Sequence, residues 1–458
     1  MTRFLEYVLL VGVVFLAPLG NLSSTPQATP GTAATAPATA SATAPATALL
    51  RTPLTPELPS KGKVRIPAVV IDFPDHPSVM TPAAVQDVLF GMGDVRRAPF
   101  DSLRAFYRRS SYGKLDLGGD VLGVYRALKS RDMLAREGPR AQAELVEDAL
   151  RFFDNAGTDY RRYDADGDGR IDYLIVMWAG PATRGSVWWG SYTEGGSDVV
   201  VDGKRLGAYS WVGEPKDFSA RTLVHETGHA LGLADLYDCD PSVGPGGGVG
   251  VFDPMGSGSC DLNALSKMML GWLRPRVVSA GTADFTLRPT SVAPDAVIVM
   301  PRYSLAAPYR EFYLVQARAR SGNDSVWPYR RAAVLQVWHV DAALGTDGLY
   351  RYDNSTTRHK FLSLEQADGE YEIERFDVSN ASDLFGMGGL FSASSTPRSA
   401  LYSGRPSGVT LCRIRRARNG VSLTASVLSN KRDGLRRVRI GDFASQQSRT
   451  APGDQACR

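Results

Sequence analysis

The sequence predicts an α+β fold, in which a mixed sheet with helices is followed by a β-rich, sandwich-like region. Up to about residue 275, apolar strand-like runs alternate with segments of helical periodicity, as in domains that combine both elements. From residue 276 the apolar segments are short and separated by Gly, Ser, Asn and Pro, which favours a β-sandwich. With 458 residues available, we place the first region at 61–275 and the β-rich region at 276–430.

The elements of the first region follow in chain order. A β-branched run from residue 63, "KVRIPAVVIDF", predicts a buried strand, and "TPAAVQDVLFG" and "SLRAFYRRSSYG" have helical spacing. Residues 140–157 predict an amphipathic helix. Its apolar face consists of Leu145, Val146, Ala149, Leu150 and Phe153. The apolar run at 171–180 predicts a central strand.

Composition gives no reason to expect a nucleic-acid-binding protein. The 52 basic and 48 acidic side chains leave a net charge of +4, and the hydrophobic and charged fractions are ordinary for a globular protein. The one dense basic stretch, residues 412–440, is interpreted as a solvated strand followed by a basic tail at 431–458. We expect a monomer.

The amino terminus has the features of an export signal. Arg3 precedes an apolar run from Tyr7 to Leu19, which is shorter than the ~20 apolar residues of a membrane-spanning helix. No clean Ala-x-Ala cleavage site follows, so residues 1–24 are either a signal peptide or an uncleaved membrane anchor. Residues 25–60 are rich in Ala, Thr and Pro and predict a disordered linker or propeptide. We expect a secreted protein or, alternatively, one tethered by this segment.

The four cysteines are expected to form disulfide bonds if the chain is exported. Proximity in the sequence favours Cys239–Cys260 and Cys412–Cys457, although four cysteines allow three connectivities. A loop of about 20 residues closed in this way contributes roughly 3 kcal/mol. The rival, a cysteine-rich zinc site, lacks a C-x-x-C spacing.

The segment "TLVHETGHALGLADLYD" predicts a zinc site. On a helix over residues 219–231, with Ser219 as N-cap, His225 and His229 are four residues apart and share one face. A glycine follows the helix and permits a sharp turn, which brings Asp235 to the same point. Two imidazoles and one carboxylate suit Zn²⁺ and leave a fourth position for water.

Glu226 stands beside the first histidine and is placed to take a proton from that water. The alternative, a surface helix with two ordinary histidines, is disfavoured because the chain has only five histidines. Downstream, Met255 in "DPMGSG" is expected to form an apolar floor under the ligands, as a Met-turn.

A second group of carboxylates precedes the 171–180 strand. Asp164, Asp166 and Asp168 alternate, and Asp172 occupies the ninth position of the loop. Hard Ca²⁺ prefers such oxygen-rich loops, whereas a plain Asp/Gly turn would leave four carboxylates to repel one another. An EF-hand requires glutamate at the twelfth position, where this chain has Ile175, so we expect a structural calcium loop of another kind.

Further along the chain, His339 and Asp341 end an apolar strand, where a hydrogen-bonded core histidine is the default interpretation. The N-x-S/T sequons are at Asn21, Asn323, Asn354 and Asn380. They are relevant only in a host that glycosylates exported proteins.

Together these residues resemble the secreted immune inhibitor A metalloendopeptidases, zinc proteases with the motif H-E-x-x-H-x-x-G-x-x-D. Further similar segments include "YDADGDGRIDYLIVMWAG", "VLQVWHVD" and "LEQADG", and the resemblance spans roughly residues 60–430. It implies a zincin-type catalytic domain with His225, His229 and Asp235 as zinc ligands and Glu226 as general base. One departure is Gln316, where the family pattern leads us to expect glutamate.

The resemblance also implies bound calcium and protein or peptide substrates. The donor that accompanies zinc at the oxyanion is left open between Tyr237, Tyr209 and others. One alternative is a secreted zinc- and calcium-containing binding or adhesion protein of the same fold without proteolytic activity, although the intact Glu226 argues against it. In another, the β-rich half is an adhesion module and proteolysis is secondary.

Overall fold

The computed structural model describes residues 50–181, 188, 192–214, 220–240, 242, 248–327, 332–355, 359–376 and 378–428. The predicted signal or anchor, most of the predicted linker and the basic tail lie outside these ranges, as do Ser219, Cys457 and the Asn21 sequon. Among the described residues, none of the helices has the length and apolar character that crossing a membrane requires.

A mixed, six-stranded sheet lies at the centre of the first region, as predicted. Its strands are β1 (Gly62–Asp72), β2 (Leu115–Arg126), β3 (Arg170–Trp178), β4 (Tyr192–Glu194), β5 (Val200–Val201) and β6 (Lys204–Gly213). The order is β2-β1-β3-β6-β4, with β5 also paired to β6. Strands β2, β1, β3 and β6 are parallel, whereas β4 and β5 run antiparallel to β6. The predicted central strand, β3, is buried from Ile171 onward.

Helices cover both faces of this sheet. The α-helices within the described ranges are α1 (Pro82–Phe90), α2 (Leu103–Ser110), α3 (Arg131–Glu137), α4 (Pro139–Asn155), α5 (Arg221–Ala230), α6 (Ala264–Met269) and α7 (Glu372–Phe376). All five predicted apolar positions of α4 are buried. They pack with Val69 and Ile71, whereas α5 packs in the other core with Ala68 and Val70. This division follows from the alternation of side chains along a strand.

The region after residue 275 contains two further sheets. Its strands are β7 (Arg276–Val278), β8 (Gly281–Leu287), β9 (Ala296–Val299), β10 (Glu311–Arg318), β11 (Val334–Asp341), β12 (Leu362–Leu364), β13 (Val409–Ala417) and β14 (Gly420–Val427). One sheet has the order β12-β11-β10-β9-β7 and the other β13-β14-β8. All pairs are antiparallel except β7 with β9.

One hydrophobic core crosses the predicted boundary at residue 275. It contains Val64 of β1, Val224 of α5, Val315 of β10 and Val427 of β14. Polar contacts cross the boundary too, because the buried Gln316 accepts a hydrogen bond from the backbone of α6 and donates to Gln336 at 2.8 Å. The two halves therefore share an interior, and a separate β-rich domain remains a prediction.

Residues 50–58, part of the segment predicted to be a disordered linker, run along the end of α5. The amides of Glu57 and Leu58 both donate to the carbonyl of Ala230 at 3.0 Å, and that of Leu54 donates to Gly232 at 2.9 Å. These bonds satisfy carbonyls that a helix end leaves without partners. The leucines of this stretch distinguish it from the Ala/Thr/Pro segment before it, since Leu50 and Leu58 are buried.

The predicted Cys239–Cys260 disulfide is wrong. Both cysteines are free thiols, Cys239 exposed and Cys260 buried. The Sγ atom of Cys260 lies 3.5 Å from the Val251 carbonyl, inside the core. Nearness in the sequence does not bring the two thiols together, because Cys239 is exposed whereas Cys260 is packed in the core. Cys412 is buried on β13, and its predicted partner Cys457 lies outside the described residues.

Candidate metal centre

Helix α5 presents two histidines from the same face. It begins at Arg221 without a side-chain cap from Ala220. His225 and His229 are one turn apart on it, and their rings are nearly perpendicular at a centroid distance of 4.8 Å. Gly232 has a φ of +93°, which lets the chain turn back directly after the helix. This turn brings Asp235 to the two histidines.

The three candidate ligand atoms surround a common point. The Nε2 atoms of His225 and His229 are 3.2 Å apart, and they lie 3.1 and 3.4 Å from Oδ1 of Asp235. Ligand atoms bound about 2.0–2.1 Å from a tetrahedral zinc ion would be roughly 3.3 Å apart. Although Oδ1 of Asp235 is buried, it makes no well-directed hydrogen bond within the described part of the chain. Both the chemistry and the spacing of these donors fit zinc.

The other nitrogen of each ring is fixed by a backbone carbonyl. Nδ1 of His225 lies 2.9 Å from the oxygen of Pro254, and Nδ1 of His229 lies 2.9 Å from that of Leu233. A carbonyl accepts only from a protonated nitrogen, so each contact keeps the proton on Nδ1. Nε2 is then free to act as a metal ligand, as is usual for histidines of metal centres.

Met255 lies directly beneath α5. A Cβ atom at Gly228 would be 2.4 Å from the sulfur of Met255, so the glycine between the two histidines allows the thioether to touch the helix backbone. Met255 is fully buried. Sequence reasoning proposed this methionine as the floor of the site but missed the glycine that gives it room.

Asp253 organises the turn that carries Met255, and the sequence analysis did not single it out. Its Oδ1 accepts from the amide of Met255 at 2.7 Å, while Oδ2 accepts from the backbone and side-chain amides of Asn263 at 2.6 and 2.7 Å. Burial raises the pKa of Asp253 to about 6. An aspartate before Pro-Met is a turn signal that could have identified it.

Glu226 is 2% exposed and adjacent to the first histidine on α5. Burial lowers the pKa of His225, but the carboxylates of Asp235 and Glu226 outweigh this effect and raise it to about 9. Burial by itself would raise the pKa of Asp235, but the two imidazoles outweigh burial and lower it. The carboxylates of Asp235 and Glu226 therefore make the site attractive to a positive charge.

The two tyrosines left open as oxyanion donors lie in different places. Tyr209 is on β6 and packs in the core formed with α4, on the face of the sheet opposite α5. The Tyr237 ring is nearly parallel to that of His225, at 6.3 Å. Its hydroxyl is buried and makes no well-directed hydrogen bond to the described residues. Burial and the nearby Asp235 raise the pKa of Tyr237 far above its ordinary value.

The predicted calcium loop brings three of its four carboxylates together. Oxygens of Asp164, Asp166 and Asp172 lie within 4.8 Å of one another, whereas Asp168 is outside this group and accepts from a backbone amide. Burial, with the neighbouring carboxylates, raises the pKa of Asp172 to about 7. Lys204 offsets part of the negative charge through a 2.6 Å contact with Asp164.

His339 and Asp341 make no contact with the metal centre among the described residues. His339 lies between Glu311 and Glu365, at 2.7 and 3.0 Å, and Asp341 lies 2.7 Å from a nitrogen of His359. His339 is thus a buried, hydrogen-bonded core histidine, in agreement with the default interpretation of the sequence.

Comparisons with known proteins match part of the chain to a peptidase family and to two relatives. Residues 78–265 match the model of the immune inhibitor A peptidase M6 catalytic domain. The chain is 28% identical over 134 residues to immune inhibitor A of Bacillus thuringiensis subsp. alesti, covering 23% of this chain and 20% of the relative. It is also 28% identical over 249 residues to the pre-pro-metalloprotease PrtV of Vibrio cholerae serotype O1 (strain M66-2), covering 43% of this chain and 27% of the relative. The matches thus span about a fifth to a quarter of the length of these relatives.

Proposed function

Since residues 78–265 match the model of the immune inhibitor A peptidase M6 catalytic domain, we propose that this chain is a secreted zinc endopeptidase that hydrolyses proteins. The observation that carries the proposal is the set of three donor atoms of His225, His229 and Asp235, spaced 3.1–3.4 Å apart. Secretion is supported by the apolar segment after Arg3.

Glu226 is the proposed general base. When bound, zinc supplies Lewis-acid chemistry that polarises the scissile carbonyl and makes the attacking water more acidic. Glu226 takes a proton from this water as its oxygen attacks the carbonyl carbon. The carboxylic acid so formed gives the proton to the leaving amine when the C–N bond breaks. Because Glu226 is almost fully buried, its charge is little screened by bulk water.

Tyr237 is the proposed second donor to the oxyanion. Its hydroxyl is the buried donor near Asp235 that lacks a well-directed acceptor, and its ring is held over His225. As the carbonyl oxygen gains negative charge, a hydrogen bond from this hydroxyl would stabilise it. The position of Tyr209 in the opposite core argues against that residue.

Tyr237→Phe is therefore expected to lower kcat about 10²–10³-fold with little change in KM, because one oxyanion donor is lost. Steady-state kinetics on a fluorogenic peptide, with zinc content measured on the same sample, checks this. Tyr209→Phe makes the same chemical change on the other face of the sheet and is the control. Loss of zinc from Tyr237→Phe would assign the hydroxyl to positioning Asp235 instead, and unchanged kcat would eliminate it.

Cleavage is expected to depend on zinc. Removing the metal with 1,10-phenanthroline should abolish the cleavage of casein, and restoring one equivalent of zinc should return it. Gel electrophoresis of casein with and without added zinc measures the effect. Cleavage that survives complete removal of the metal would reject the proposed function.

We also propose that the loop of Asp164, Asp166 and Asp172 binds a structural calcium ion. The support is the carboxylate group itself and the preference of Ca²⁺ for oxygen ligands. Withdrawing calcium while zinc is kept saturating should lower the melting temperature, because a ligand at 100 times its Kd stabilises the fold by about 2.7 kcal/mol. In Asp166→Asn the calcium-dependent part of the melting temperature should shrink. A wild-type melting temperature that does not respond to calcium rules the site out.

A further inference from the structure

The β-rich half touches the loop that carries the third metal ligand. This loop runs from Asp235 to Met255. The side chain of Asn354 donates from Nδ2 to the carbonyl of Leu236 at 3.0 Å, and the hydroxyls of Ser355 and Ser379 accept from backbone amides farther along the loop, each at 3.3 Å. Leu236 immediately follows Asp235, so the Asn354 contact is the one nearest to the metal centre.

Asn354 uses both ends of its amide. Nδ2 donates to the Leu236 carbonyl, and Oδ1 accepts from the amide of Leu362 at 3.0 Å. Leu362 is the first residue of β12. The residue is 2% exposed. Because the side chain is buried, Nδ2 is not accessible for attachment of a glycan at this sequon in the folded chain. Asn354 thus ties the ligand loop to a strand of the β-rich half.

Two backbone hydrogen bonds within the ligand loop also fix the position of Leu236. Its amide donates to the carbonyl of Met255 at 2.8 Å, and its carbonyl accepts from Val249 at 2.8 Å. The Leu236 peptide is therefore fixed between the turn beneath α5 and Asn354. Any movement of this peptide is passed to the neighbouring Asp235, whose Oδ1 is only 3.1–3.4 Å from the two imidazoles.

We propose that Asn354 is a positioning residue of the metal centre, through which the β-rich half holds Asp235 in place to bind zinc. The inference rests on the proposed function, because it takes the three-residue site to be a zinc site. Outer-shell partners of metal ligands typically change metal affinity 10–100-fold when they are replaced. Asn354 acts through a peptide bonded to the ligand residue, and an effect of about tenfold is expected.

Asn354→Asp is the most informative variant. It keeps the size of the side chain and the acceptor for Leu362, but it puts an oxygen in place of the donor that faces the Leu236 carbonyl. The rate of zinc release from the folded chain, followed with a chromogenic chelator, should rise about tenfold. In the cobalt-substituted protein the visible absorption bands should shift, because the geometry of the ligands changes.

Ser399→Ala is the matched control. Ser399 is equally buried in the β-rich half and its hydroxyl donates to the Val409 carbonyl at 2.6 Å, but it has no described contact with the ligand loop. Its loss should lower the melting temperature without changing zinc release or the cobalt spectrum. Asn354→Ser, which is smaller and also lacks the amide donor, serves if Asn354→Asp fails to fold.

The outcomes separate the two proposals. Faster zinc release and a shifted cobalt spectrum for the Asn354 variants, with Ser399→Ala unchanged, support the positioning role. Asn354 variants that lose only melting temperature, as Ser399→Ala does, overturn it while leaving the proposed function intact. A folded wild-type chain that takes up no zinc or cobalt at all overturns the proposed function itself, and the positioning role with it.

Discussion

Glu226→Gln is expected to lower kcat/KM for a peptide substrate by about 10²–10⁴-fold, because glutamine cannot accept the proton of the attacking water. Glutamine is nearly the same size and Glu226 is not among the three proposed ligand residues, so the variant should keep its fold and bind zinc like the wild type. Steady-state cleavage of a fluorogenic peptide, with zinc measured on the same preparation, gives the comparison.

A control makes the same chemical change elsewhere in the first region. Glu144 lies on the outer face of α4 in an exposed pair with Arg140, and Glu144→Gln should leave kcat/KM unchanged. If Glu226→Gln retained more than about a tenth of wild-type activity with zinc bound, another residue would have to be the base.

Lys267→Met is expected to have the largest effect on stability. The Lys267 side chain is fully buried, 2.6 Å from Asp261 and 2.9 Å from the Thr290 carbonyl. Arg318 and Asp324, 2.8 Å apart, extend the same buried network into the β-rich half. Removing the lysine leaves Asp261 buried and without its cation, which typically costs about 3–5 kcal/mol. Urea unfolding followed by tryptophan fluorescence measures the loss.

Two further variants establish that the loss arises from uncompensated charge. Lys129→Met breaks an exposed pair with Glu137 and should cost at most about 1 kcal/mol. Adding Asp261→Asn to Lys267→Met removes the unpaired carboxylate and should restore part of the stability. If Lys267→Met cost no more than the surface variant, an uncompensated buried carboxylate would not be the cause of the lost stability.

The parts of the fold that depend on local pattern could be predicted from the sequence. The face of α4 follows from helical periodicity, and β3 follows from a continuous apolar run. The turn at Gly232, with its φ of +93°, is demanded by the short spacing between His229 and Asp235. In each case the residues that decide the local structure are close together in the sequence.

Features that depend on distant segments could not be predicted. To predict that residues 50–58 pack against the end of α5, one must know where that helix end lies. The sequence around residue 50 does not contain this information. The Cys239–Cys260 pairing failed because nearness in the sequence does not reveal that Cys239 is exposed and Cys260 is buried. Likewise, the choice between Tyr209 and Tyr237 needed the face of the sheet on which α5 packs, since Tyr209 lies in the core on the other face.

The central claim is that His225, His229 and Asp235 form one zinc site, and the zinc content of the purified, folded chain tests it most directly. We predict one zinc per wild-type chain after dialysis, and much less than one in His229→Ala with the fold retained by circular dichroism. A folded wild-type chain without zinc, or a His229→Ala chain that holds zinc as tightly as the wild type, would contradict this account.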